Sequence, residues 1–399
     1  MPLTETISHP ELRRSSVLFE QGIDPGRDHF FSTLFRALDQ CGVRYAALHA
    51  KQGLLFGTDF IVHPHDESKL STVFSELRKI GYHAVQCLEL ESGEQRVVFA
   101  CVGDENPTIV SITLEFAGRD GLRSETLLEQ RTREGILWTT ASKTAPGGGK
   151  SNSRVAQRFV KPRNGNQGAF LVFLGPDGVG KTTLLRQLSA SLIAIFPEQR
   201  IYRWRPGVFS NAQRPVCLPH SKPMRSIWSS IAYLFFTCLD FTAGYWMTIR
   251  SMLARNDLVI FDRYYQDMLI DPKRYRYTGP MWLVRAIDKI VPPRDIFFVV
   301  LDAEEQTILT RKQQLPIEEI RRQRAAYRHF AGSVPASVLV DTEQTVELCS
   351  AQALKAVVAH LSQRLSRRNP MWFATARWAD APQAANAFEQ TLNSVPRQP

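Results

Sequence analysis

No two of the six cysteines, Cys41, Cys87, Cys101, Cys217, Cys238 and Cys349, stand at C-x-x-C spacing. That absence removes the usual zinc ligand pairs and the dithiol redox motif. The first residues, Met1-Pro2-Leu3-Thr4-Glu5-Thr6, lack a basic segment followed by an apolar run. No secretory signal is therefore expected, and reduced thiols in a cytoplasmic setting are. The chain has no internal repeat and no excess of acid. Its formal charge is +10, which favours polyanions: nucleotides, anionic lipid or nucleic acid. The cations are spread along the chain and partly lie in linker and tail. They point to a protein that handles phosphates, with no nucleic-acid partner expected.

What is present is an ordinary globular composition, 44% hydrophobic and 22% charged, so most of the chain can bury a core. A length of 399 residues suggests two domains. Residues 145–166, opening Ala145-Pro146-Gly147-Gly148-Gly149, read as a linker. It separates a first domain, 1–144, from a second, 167–366. Residues 367–399, rich in Ala, Asn, Gln and Pro, read as a poorly ordered tail.

The second domain alternates strands and helices. Strands are expected at 169–174, 258–261, 296–301 and 337–340, with helices at 183–195, 304–312, 318–330 and 346–361. Continuous apolar strands with helical crossovers predict a parallel sheet covered on both faces. Residues 226–249 carry one charge, Asp240, between Arg225 and Arg250, and are long enough to span a bilayer. An acid near the middle is costly in hydrocarbon, and a crossover helix is needed there. The segment is expected to be buried in the domain or in a homodimer contact, with membrane-surface association as the alternative.

Gly175-Pro176-Asp177-Gly178-Val179-Gly180-Lys181-Thr182 matches G-x-x-x-x-G-K-[ST] between an apolar strand and a helix. Glycines 175, 178 and 180 let the backbone turn its N–H groups toward phosphates. Lys181 adds a charge at the β/γ-phosphates, Thr182 offers a hydroxyl to Mg²⁺, and Thr183 follows in the first turn of the helix. The helix directs its positive end at the anion. A glycine-rich turn that only happens to precede Lys-Thr is the bland alternative, and the flanking strand and helix argue against it. A second motif, Asp262-Arg263-Tyr264, ends a buried strand. Asp262 can assist Mg²⁺ and Arg263 can hold a phosphate bidentately, or the two can simply shape a loop as a strand-end ion pair.

These two motifs together resemble the thymidylate kinase branch of the nucleoside monophosphate kinases, over about residues 167–364. The resemblance implies a P-loop NTPase sheet, ATP and Mg²⁺, with Asp177 contacting the acceptor sugar and Arg263 the acceptor phosphate. The acceptor side departs from the family. Where Arg-Glu-Pro-Gly is usual, the chain has Arg203-Trp204-Arg205-Pro206-Gly207. The thymine-packing segment is replaced by 265–277, so thymine recognition is unsupported. Arg311 and Lys312, then Arg321, Arg322, Arg324 and Arg328, suggest either a lid or a solvated face paired with Glu318 and Glu319. Arg311 is the leading catalytic candidate among them.

In the first domain, a helix is expected at 27–40, strands at 44–49 and 54–62, and a helix at 67–80. The pattern resembles a minimal nucleotidyltransferase, a smaller α+β domain preceding the α/β one. Two-metal chemistry needs paired acids, but only Asp59 remains, with Ile61 at the second position and Glu115 or Thr113 at the third. Asp59 is expected to be a turn or capping residue in a degenerate module. The combined expectation is phosphotransfer from ATP to a nucleotide or another phosphorylated or sugar acceptor, near bacterial surface-polysaccharide synthesis by resemblance. The competing class is a nucleotide-dependent ATPase or switch that binds a partner.

Overall fold

A computed structural model describes residues 25–48, 59–89, 94–102, 107–116, 128–129, 132–134, 137–140, 168–209, 223–293, 295–312 and 315–373. The linker at 145–166 lies outside the described residues, as do 54–58 of the second expected strand and 374–399 of the expected tail. In the first half, α1 (Pro25–Gln40) buries Phe30, Phe31, Leu34, Phe35 and Leu38, one stripe at helical spacing. A 3₁₀ turn (Pro64–Lys69) leads into α2 (Leu70–Lys79), which buries Leu70, Val73, Phe74 and Leu77. The α-helix expected from 67 thus starts later. The turn before it is anchored by Asp66, which accepts from Arg44 Nε at 2.7 Å and pairs with Lys69 at 2.7 Å.

Both helices cover one face of a mixed seven-stranded sheet, ordered β3-β4-β5-β2-β1-β7-β6. Its strands are β1 (Tyr45–Leu48), β2 (Asp59–Val62), β3 (His83–Glu89), β4 (Gln95–Val102), β5 (Pro107–Phe116), β6 (Thr132–Glu134) and β7 (Leu137–Thr140).

The second half is a parallel five-stranded sheet, ordered β12-β11-β8-β10-β9. Its strands are β8 (Ala169–Leu174), β9 (Gln199–Arg203), β10 (Leu258–Asp262), β11 (Phe297–Asp302) and β12 (Ser337–Asp341). Along β8, Ala169, Leu171 and Phe173 enter one core, while Phe170, Val172 and Leu174 enter the other. Both faces are buried, as the unbroken apolar run predicts, and each such side chain contributes about 1.5–3 kcal/mol. The first face is closed by α3 (Lys181–Ser191) and α10 (Val346–Arg368). The other is closed by α4 (Ile227–Gly244), α7 (Met281–Asp288) and α9 (Ile317–Ser333). Short helices α5 (Arg250–Ala254), α6 (Asp267–Ile270) and α8 (Glu305–Arg311) complete the order. Strand β8 lies between β10 and β11, so the chain reverses its winding direction there. In open parallel sheets, that crevice beyond the strand C-termini is where ligands bind.

Two features depart from the expected organisation. Helix α10 also packs on the far side of the first sheet, where Val85, Val98 and Ala100 share a core with Leu354, Val357 and Leu361. Past its end, in the stretch expected as a tail, Trp372 and Phe373 are buried against Phe74 and Phe116. Trp372 Nε1 also donates to Glu67 Oε1 at 3.1 Å. The apolar segment 226–249 forms α4, capped by the Ser226 hydroxyl, and runs through a π turn (Tyr245–Ile249) into α5. Its single acid is turned inward: Asp240 accepts from the N–H groups of Gly207 and Phe209 at 3.3 and 3.2 Å.

Candidate functional site

The loop after β8 is shaped by left-handed glycines, with φ of 145° at Gly175, 90° at Gly178 and 100° at Gly180. At Gly175 a side chain is excluded twice, because a Cβ would also stand 2.6 Å from the Leu301 carbonyl oxygen. Gly180 caps α3, whose first turn carries Lys181 and the exposed Thr182 and Thr183. Lys181 Nζ is buried and donates to the carbonyls of Gly175 and Pro176 at 2.8 and 2.6 Å. Burial, reinforced by Arg263 and Arg274, pushes its pKa down to about 7, against the pull of Asp177 and Asp262. The arrangement suits polyphosphate: free N–H groups at a helix N-terminus and a lysine whose protonated form gains from an added anion.

Asp262 ends β10 beside Phe173 of β8 and Arg203 of β9. Its Oδ1 is buried and accepts no hydrogen bond. A carboxylate oxygen left in that state next to the glycine loop suits a hard cation that prefers oxygen ligands and water. Asp262 therefore fits Mg²⁺, and the exposed Thr182 is the second oxygen donor expected there.

Arg263, at a strained φ of 73°, is deeply committed. Its Nη1 donates to both Asp267 oxygens, at 2.8 and 2.7 Å, and to Tyr327 Oη at 3.0 Å. Its Nη2 donates to Gly175 O at 3.1 Å and to Asp177 Oδ1 at 2.7 Å. Asp267 is fully buried and also accepts from Tyr275 and Tyr327, each at 2.5 Å. The expected role of Arg263, direct grip on an acceptor phosphate, meets a guanidinium already bonded on both of its outer nitrogens. The cation facing the same carboxylate from the other side is Arg274, whose Nη1 donates to Asp177 Oδ2 at 2.6 Å. Burial would raise the Asp177 pKa, but Arg263, Lys181 and Arg274 hold it well below the carboxylate range. Arg274 sits in the stretch that departs from the family pattern, and its spacing alone does not mark it out.

In the departing 203–207 stretch, Arg205 is buried beneath α4, 3.5 Å from Asp240 and over the Phe236 ring at 5.2 Å. Trp204, at φ 65°, stacks on Tyr275 with ring centroids 4.0 Å apart. The arginine-rich stretch is tied to carboxylates. Arg321 holds Glu305, Arg322 holds Glu319, and Arg324 and Arg328 converge on Asp302 at the end of β11. The solvated-face alternative thus describes Arg321 and Arg322, with Glu305 in place of Glu318 as one partner. Arg311 differs: its Nη2 donates to the Thr342 carbonyl at 3.3 Å, and the Thr342 hydroxyl donates to Val179 O in the glycine loop at 2.8 Å. The end of α8 presses on the same loop, since a Cβ at Gly178 would lie 3.0 Å from Lys312 Cβ.

In the first half, Asp59 is exposed and pairs in register with the buried Thr113, while Ile61 pairs with the half-buried Glu115. Ile61 is packed with Ala46 and Leu128. Among the described residues no group of three or more metal-ligating side chains occurs.

No family model matches this chain. In sequence it is similar to a thymidylate kinase of Limosilactobacillus fermentum, 27% identical over 161 residues, which cover 39% of this chain and 72% of that protein. Among solved structures it matches a thymidylate kinase of Ehrlichia chaffeensis at a TM-score of 0.35 and 17% identity, covering 48% of this chain and 98% of that one. The similarity to thymidylate kinase is distant and partial.

Proposed function

We propose that the chain is an ATP-dependent phosphotransferase of the thymidylate kinase-like type. It moves the γ-phosphoryl group of Mg-ATP to a nucleotide or another phosphorylated or sugar acceptor. The observation that carries this reading is Asp177, inside the P-loop yet held between Arg263 and Arg274. Donor loop and acceptor-side cations share one carboxylate, which would bring donor and acceptor anions to one place, as in-line transfer needs. The distant sequence similarity to thymidylate kinase supports it.

Phosphoryl transfer asks the protein for positioning and charge neutralisation rather than covalent chemistry. Gly175, Pro176, Asp177, Gly178, Val179, Gly180, Lys181, Thr182 and Thr183 wrap the donor phosphates. Thr182 and Asp262 would hold Mg²⁺, which would supply neutralisation of phosphate charge. Arg274 leaves Asp177 to meet the acceptor anion, and Arg263 keeps the carboxylate in place. Arg311, anchored to the P-loop through Thr342, offers a cation to the transferring group. The first half, with Asp59 and with Ile61 where the second acid of a metal pair would stand, serves as a non-catalytic nucleotidyltransferase-like module. That pairing is the basis for linking the protein to bacterial surface-polysaccharide synthesis.

A second reading, an ATPase switch without a small acceptor, is favoured by one observation: Arg263 is already saturated by protein groups. ADP release across a panel of dTMP, other nucleoside monophosphates and phosphosugars separates the two. A rate that jumps with one acceptor supports the kinase. An acceptor-independent rate supports the switch and sinks the kinase. Turnover that survives Lys181→Ala sinks both.

A further inference from the structure

We propose that the outer face of α4, with its π turn and α5, docks on an anionic lipid surface and holds the protein flat against a membrane. The inner face of this helix closes the sheet core through Leu234, Phe241 and Ile249. Its outer face is apolar and open: Trp228 is 81% exposed, Leu239 62%, Trp246 58% and Met247 70%. Isolated exposed apolar residues are normal, but a continuous row along one helix marks a binding face. On α7, which covers the same sheet face, Trp282 is 66% exposed.

Three features make lipid the occupant. First, the row is rich in tryptophan, whose amphipathic ring favours the level of the lipid headgroups. Second, the exposed charge on α4, α5 and α7 has one sign. Arg250, Arg285 and Lys289 are exposed, and Arg250 lies over the Trp246 ring at 4.8 Å. The sequence has no glutamate between Glu198 and Glu304, and every aspartate from 223 to 293 is buried or half-buried. An apolar strip with a cation seated on its tryptophan is complementary to a negatively charged leaflet. Third, the acid that argues against burial in hydrocarbon is not on this face. Asp240 points inward, bonded to Gly207 and Phe209. Although the segment is apolar and long enough to cross a bilayer, its inner face belongs to the protein core. It therefore lies along the interface instead of spanning it.

Flotation of the full chain tests this, with vesicles of phosphatidylcholine and with vesicles in which roughly one-third of the lipid is phosphatidylglycerol. The chain is expected to float with the anionic vesicles only, to be released by high salt, and to shift its tryptophan emission to the blue on binding. Leu239→Glu should weaken that binding about tenfold or more, and Arg250→Gln about fivefold. Both variants should keep their far-ultraviolet circular dichroism and their nucleotide affinity. Failure of the unmodified chain to float with anionic vesicles overturns the proposal. So does flotation that neither substitution changes. A dimer in light scattering that Leu239→Glu dissociates also overturns it, because the row would then face a second copy.

Discussion

The proposed donor and acceptor sides of the site meet at Asp177 and are built from different materials. The donor side is backbone: a loop bent by left-handed glycines, a helix N-terminus, and a lysine folded onto loop carbonyls. The acceptor side is side chain: Arg263, Asp267, Tyr275, Tyr327 and Arg274 locked to one another and to Asp177. A backbone site carries little desolvation cost, because its N–H groups are orphans of the helix start in any case. A buried ionic network is stable only while every member is present. The two halves should therefore fail in different ways when cut: one in binding, the other in folding.

The largest expected effect is at the base of the acceptor side. Asp267→Ala leaves the Arg263 guanidinium buried without its main partner and should cost about 3–5 kcal/mol, read as a lower urea midpoint. If the midpoint stays put, the network is not structural and the contrast collapses. Lys181→Ala should do the opposite, leaving the midpoint unchanged or raised, because a lysine with a depressed pKa is a burial cost to the fold. Turnover should fall about 10²–10³-fold, measured as ADP release. Arg274→Ala should raise the KM for the acceptor about tenfold or more while the KM for ATP holds. An equal rise in both would place Arg274 on the donor side.

The smallest effect is in pH. Lys181 sits near pH 7 before binding, and the phosphates of a nucleotide favour its protonated form. Between the low free value and the higher bound value, binding takes up a proton. Affinity should be strongest below about pH 7 and weaken by up to about tenfold per unit above it. Calorimetry in buffers of different ionisation heat would register the proton uptake. A flat profile from pH 7 to 9 would mean that Lys181 is already charged in the free protein.

The same contrast explains how much was legible beforehand. A backbone site leaves its pattern in consecutive residues, so glycine spacing and Lys181-Thr182 marked the donor loop, and apolar runs marked β8, β10, β11 and β12 nearly to the residue. Edge strand β9, Gln199–Arg203, pairs only Ile201 and Tyr202 between polar residues and offers no such run. The partners of a side-chain network come from distant segments. Tyr327 lies on α9 and Arg274 follows α6, and nothing at either position announces a shared target. In the first half, the expected helix at 67–80 merged a 3₁₀ turn with α2, since the anchoring of Asp66 by Arg44 is not a local signal.

That cover has a consequence in the order of synthesis. Val85, Val98 and Ala100 are made early, yet they are covered by α10, which is made more than two hundred residues later. Trp372 and Phe373, later still, complete the packing around Phe74 and Phe116. A domain whose wall arrives last cannot finish folding as it leaves the ribosome. The amino-terminal sheet must wait, one face open, until the parallel sheet has formed and α10 swings in to close both.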